Sequence, residues 1–211
     1  MRLTRTVLLA PGLLALAAVW LGPLPGLAPH AFAAHMTMHM GVVAVAAPLL
    51  AFGVAGARLD PVRRAPSLFA PIPASVVELV VVWGWHAPAL HELARRVPAA
   101  LALEQGSFLL AGVLVWLSAF GGDPRDGRRR AAGIVALVLT SMHMTLLGAL
   151  LALPPRPLYA HTAGVAWLTP LHDQQLGGAI MLVVGSIVYL LGGLRLTAGL
   201  LLGVADRGER A

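Results

Sequence analysis

Residues 6–57, TVLLAPGLLALAAVWLGPLPGLAPHAFAAHMTMHMGVVAVAAPLLAFGVAGA, contain no Asp, Glu, Lys or Arg. A helix crosses a hydrocarbon core of about 30 Å with about 20 apolar residues, so this stretch is long enough for two spans joined by its Pro- and Gly-containing middle. The same texture continues outward. Of 211 residues, 58% are hydrophobic and 11% charged, against roughly 25% charged in a soluble domain. Apolar runs bounded by Arg, Pro and Gly predict six spans, at about 6–24, 35–57, 73–90, 104–121, 131–153 and 174–194. The last continues through 196–204, either as an interfacial turn or as a longer tilted helix. Only helices or closed barrels satisfy their backbone in lipid, and the period-2 alternation of a barrel is absent. The expected fold is therefore all-α, a polytopic membrane helix bundle of six transmembrane helices forming a single domain over 1–211. Met1 to Arg5, an apolar core and Ala31-Phe32-Ala33 also fit a cleavable signal peptide, but the core is long for one and another span follows at once. An uncleaved first helix is expected.

All fifteen basic residues are Arg, and the formal charge is +6. No basic run is interleaved with aromatic or polar residues as a nucleic-acid groove requires, so the charge is read as topological. With the amino terminus inside, Arg2, Arg5, Arg58, Arg63, Arg64, Arg125, Arg128, Arg129, Arg130, Arg195, Arg207 and Arg210 fall on the cytoplasmic side. Arg95, Arg96 and Arg156 fall outside. This bias places both termini in the cytoplasm. The chain has no Cys, which excludes disulfides, thiolate metal sites, iron–sulfur clusters and covalent haem attachment.

On this topology the eight histidines gather on the outer side. His30 and His35 lie at the first external loop, His39 one turn into the second span, His86 and His91 at the outer end of the third, and His161 and His172 in the last external loop. His143 lies within the fifth span, roughly 15 Å deep at about 1.5 Å per residue. In His35-Met36-Thr37-Met38-His39-Met40, His35, Met38 and His39 share an arc of about 100°, and an i, i+4 histidine pair can hold one ion. Met142-His143-Met144 repeats the Met-His-Met triplet of Met38-His39-Met40. Imidazole with soft thioether favours Cu(I) over zinc or magnesium. The bland alternative is that methionine fills gaps and intramembrane histidine bonds a neighbouring helix. His91 lies about 140° round an ideal helix from His86 and beyond Pro88, so the two need not converge. Glu78, in the middle of the third span, is either protonated, or paired with a backbone or hydroxyl group. Glu104 and Asp173 begin spans, where a carboxylate suits a helix N-terminus. Position 36 is Met, so His35 to His39 lacks the glutamate of an HExxH protease. No phosphate-binding or dinucleotide loop is present, and no enzyme activity is expected.

His35-Met36-x-x-His39, Ala47-Pro48-Leu49-Leu50, Trp85-His86-Ala87-Pro88-Ala89-Leu90, Glu104-Gln105-Gly106-Ser107-Phe108 with Gly112 and Trp116, Leu147-Gly148-Ala149-Leu150-Leu151 with Pro157-Leu158-Tyr159, and Asp173-Gln174-Gln175-Leu176-x-Gly178-x-Ile180-Met181 occur in order. Together they resemble the CtaG-type cytochrome c oxidase assembly factors, from about residue 35 to 194. The resemblance implies a multi-spanning bacterial inner-membrane protein that matures a haem–copper oxidase and has a suspected role in supplying copper. It carries over His35, His39, His86 and Asp173 as motif positions, and His143 as matching shorter members. Gln105 stands where His is expected, and His91 where an aromatic residue is more usual.

Residues and resemblance together lead to one expectation. Cu(I) is bound on the periplasmic side by His35, Met38, His39 and Met40 with Met142, His143 and Met144. The external His86, His161 and His172 capture it, and the ion passes from periplasmic copper chaperones to oxidase subunits in the respiratory membrane. Two alternatives stand beside it: a membrane cytochrome with bis-His haem, for example on His39 and His143, and a metal-free assembly scaffold.

Overall fold

The computed structural model describes residues 7–159 and 168–208, and among these every regular element is helical. In chain order they are α1 (Leu9–Leu21), α2 (Leu24–Leu27), α3 (Phe32–Met40), α4 (Ala47–Val54), α5 (Pro71–His86), α6 (Pro88–Arg96), α7 (Pro98–Phe120), α8 (Gly127–Ala152) and α9 (Pro170–Gly208). Five stretches are long and apolar enough to cross a membrane: Leu9–Leu27, Phe32–Val54, Pro98–Phe120, Gly127–Ala152 and Pro170–Leu202. A sixth crossing is formed if the bent pair α5 and α6 counts as one span. The chain is an all-helical membrane protein, as its composition demands. The final span runs on as one helix through Gly208, which decides between the two forms the sequence allows.

Prolines set the boundaries. Pro71, Pro88, Pro98 and Pro170 each open a helix, where the missing N–H has no intrahelical partner to lose. The residues before them are driven out of helical conformation: Ala87 has ψ 133° and Val97 ψ 112°. The third expected span, 73–90, is corrected by this rule. Its helix stops at His86, and α6 departs at 70°.

The span Phe32–Val54 is the most enclosed, and α1, α7 and α9 pack around it. Between α3 and α4 it widens into a π-helical stretch, Gly41–Ala46. The Trp116 indole of α7 donates to the Val43 carbonyl in that stretch (3.2 Å). Close approach there depends on Gly112, whose missing Cβ would lie 3.0 Å from Ala47 Cβ. Antiparallel α8 and α9 meet backbone to backbone. A Cβ on Gly148 would lie 2.8 Å from Leu182 N, and one on Gly178 would lie 2.5 Å from Ala152 N. Lipid is as apolar as leucine, so such small-residue contacts and hydrogen bonds, here Thr145 to Ser186 at 2.8 Å, hold the pair together.

At one end of the bundle, buried Asp60 accepts from Gly56 N, Val62 N and Gly122 N at 2.7, 2.9 and 2.8 Å. Gly122 has φ 86°, so this turn favours glycine. Arg129 donates to the carbonyls of Gly121, Phe69 and Ser118, drawing the loops together. The opposite end, formed by the starts of α3, α7 and α9 and the ends of α5 and α8, carries the histidines.

Candidate functional site: a buried histidine cluster

The register of α3 is fixed from outside the helix. Asp173, buried in the first turn of α9, accepts from Phe32 N (2.6 Å) and Ala33 N (3.1 Å). Its carboxylate thus caps the N-terminus of α3, a neighbouring helix, in addition to the expected place in the first turn of its own. His35 and His39 follow at i, i+4, and both are fully buried. His86, the last residue of α5, donates Nδ1–H to the Val82 carbonyl (2.6 Å). That bond fixes the neutral tautomer and leaves the Nε2 lone pair directed away. Because α6 turns through 70° at Pro88, His91 and Arg95, also four residues apart, come back over the cluster.

The four rings form a chain of contacts, His91 to His35 to His86 to His39. Centroids are 4.9 Å apart for His35 and His91, 5.6 Å for His35 and His86, and 5.3 Å for His39 and His86. Two imidazoles sharing a metal at about 2.0–2.1 Å per nitrogen place their ring centres roughly 5 Å apart. From α7, Glu104 completes the group. Ligand atoms of His35, His91 and Glu104 all lie within 4.8 Å of one another, and all three residues are buried. Phe32 and Phe108 wall the rings in, with Phe108 4.1 Å from His39. Tyr159 stacks on Phe32 at 4.9 Å and lies 4.2 Å from His91. Its hydroxyl donates to the His86 carbonyl (2.8 Å). Burial pushes this phenol above its ordinary range, so it remains an O–H donor.

The motif Glu104-Gln105-Gly106-Ser107 is accounted for by its contacts. Arg95 donates to Glu104 through Nη2 and to His35 Nδ1 through Nη1 (2.8 Å). Gln105 accepts from the Trp20 indole (3.4 Å) and donates to Glu104 (3.3 Å). Ser107 accepts from the Trp85 indole (2.8 Å). Glu104 lies six residues into α7, so its partner is Arg95 and not the helix N-terminus, unlike the expectation.

Several imidazole nitrogens have no hydrogen-bond partner although buried: His35 Nε2, both nitrogens of His39, His86 Nε2, and both of His143. An orphaned buried polar group costs several kcal/mol in a lipid-surrounded interior (about 2–7 by transfer). Native proteins keep such groups for a reason, an ion among the usual ones. His143 of α8 is also buried and lies near His39.

The thioethers are less concentrated than the sequence pattern suggests. Met38, Met40 and Met144 are buried, whereas Met142 is 63% exposed and points out of the bundle. Met36 and Met144 lie against Gly177 and Gly185 of α9. His86 is buried within the cluster and is no surface collector. His30 and His172 are exposed at this end, and His161 lies outside the described residues. Glu78, buried mid-span, accepts from the Tyr189 hydroxyl (2.7 Å), a hydroxyl partner of the kind expected. It shares no contact with the cluster.

His91 and Glu104 are the members that sequence reasoning did not place together. The signal available in the sequence was Arg95 on the outer side, whose nearest following carboxylate is Glu104. The sequence reading that His86 and His91 need not converge across Pro88 holds, since each ring contacts His35 instead.

A search of curated proteins and one of solved structures returned no match. A family model does match, over residues 1–201. That match spans the helices that build and brace the histidine cluster, and the chain belongs to the family it describes, the cytochrome c oxidase caa3 assembly factors.

Proposed function

We propose that this assembly factor holds copper in the buried histidine cluster and passes it to an oxidase subunit. The observation that carries the reading is the ring cluster His35, His39, His86 and His91, with unpartnered nitrogens on His39 and His86 and a single carboxylate, Glu104. Imidazole suits copper as well as zinc and iron. Copper is favoured because assembly of a haem–copper oxidase requires it. The ion is cargo, so the proposed role is non-catalytic, and a set of adjoining nitrogens offers stepwise exchange rather than a closed cage. His39 extends the set toward His143, giving an inward path of three histidines from His86.

The histidine end is read as periplasmic and the opposite end, with Arg58, Arg63, Arg64, Arg125, Arg128, Arg129, Arg130 and Arg195, as cytoplasmic, following the positive-inside tendency. A copper chaperone on the periplasmic side is the proposed donor. Haem between His39 and His86 is disfavoured because their rings are in direct edge contact with Phe108 beside them, which leaves no slot for a macrocycle there; for the His39 and His143 pairing a Soret band in the purified protein is the deciding observation. A cavity of about 680 Å³ is lined by Phe52, Trp116, Phe120 and Arg129 among others, with no histidine in its lining.

The test is a Cu(I) titration of the purified protein against a competing chelator. His35→Ala/His39→Ala/His86→Ala is expected to weaken binding by about 100-fold, the factor that roughly 2.7 kcal/mol of lost ligation represents. Unchanged affinity in that variant sinks the assignment.

A further inference from the structure

Resting on the copper reading, we propose that the Arg95 guanidinium is a built-in competitor: it occupies the cation position between His35 and Glu104, and copper reaches those two ligands by displacing it. His35 Nδ1 and Glu104 Oε2 are 3.7 Å apart. Two ligands on one tetrahedral ion at about 2.0–2.1 Å would be roughly 3.4 Å apart. Arg95 donates to both of these atoms, one guanidinium nitrogen to each. A neutral imidazole that accepts at Nδ1 carries its proton on Nε2. While Arg95 is in place, His35 therefore offers no free lone pair to a metal.

Charge makes the exchange feasible. The Glu104 carboxylate is fully buried and the Arg95 side chain only 5% exposed, so removing either partner alone leaves an uncompensated buried charge. Cu(I) carries the same single positive charge as the guanidinium, and substituting one for the other leaves the buried net charge unchanged. A divalent ion would add one. Arg95 also has somewhere to go. It sits in the last turn of α6, beside Arg96, whose head is 65% exposed and paired with Glu92. A long arginine stem can carry its head to the interface by rotamer change. The Arg95 Nε is buried without a partner, so the fork is held at its tip only.

The experiment uses the full chain in lipid nanodiscs, titrated with Cu(I) against a competing chelator, with folding followed by thermal unfolding. Arg95→Lys is the informative variant. It keeps the charge beside Glu104 but cannot fork across to His35, so tighter binding cannot be attributed to lost repulsion. Arg95→Lys is expected to bind copper about tenfold more tightly than the wild type. Arg95→Gln, whose amide still donates to Glu104, is expected to do the same or more, and provides the comparison should the lysine variant unfold. Arg96→Gln, which removes a neighbouring charge without opening the site, is expected to stay within about twofold. Copper binding by wild type and both Arg95 variants with equal affinity overturns the displacement and leaves the copper reading standing. Failure of every protein to bind copper overturns both.

Discussion

Asp173 shows how much one side chain can decide. Its two oxygens satisfy Phe32 N and Ala33 N across helices, and those bonds set the height at which His35 enters the cluster. Hydrogen bonds to a charged group contribute about 1.5–3 kcal/mol each, so Asp173→Ala is expected to destabilise the protein by about 2 kcal/mol or more in a detergent unfolding series. It is also expected to weaken copper binding, although Asp173 touches no ring. A variant that unfolds like the wild type would remove Asp173 from this role. At this scale the sequence was partly legible. His35 and His39 were readable because their spacing of four needs only local helix geometry. His91 and Glu104 were not, since they meet His35 through a bend and a long-range contact that no periodicity encodes. Met142 and Met144 show the converse: adjacent letters around His143 point to different surroundings, one to the outside and one to α9.

Among elements, the α8 and α9 pair is held by glycine contact rather than by a hydrophobic driving force. A side chain at Gly178 must collide with the α8 backbone at Ala152, whereas Gly193, on the same helix, has nothing within 4 Å of a Cβ. Gly178→Ala is therefore expected to cost about 1–3 kcal/mol as overpacking, and Gly193→Ala to be neutral or to stabilise by roughly 0.5–1 kcal/mol. Thermal unfolding of the two variants side by side checks the contrast, and equal effects would contradict the packing account. The spans were legible in the sequence because apolar length is a direct response to bilayer thickness. The break at His86 was marked by Pro88, but proline alone does not say whether a helix kinks or turns away. The π-helical stretch Gly41–Ala46 left no such mark: its register is stabilised by Trp116 reaching the Val43 carbonyl from another helix.

Across the whole molecule, the two ends are built differently. One end is tied by Asp60 and Arg129 through backbone groups and carries the greater part of the arginine. The other buries four imidazoles, a carboxylate and a guanidinium under Phe32 and Tyr159. The sequence already separated arginine from histidine between the loops, so a histidine-bearing end was legible, while the set of groups that meet there was not. The sequence pattern suggests mixed imidazole and thioether, whereas the groups the fold brings together at this end are imidazoles with Glu104. Copper X-ray absorption on the protein loaded with one equivalent of Cu(I) distinguishes these directly. The account predicts a nearest-neighbour shell of nitrogen and oxygen, with the outer scattering of imidazole rings, that is lost in His35→Ala/His39→Ala/His86→Ala. A shell dominated by sulfur, or copper washed from the wild-type protein by a weak chelator, would contradict it.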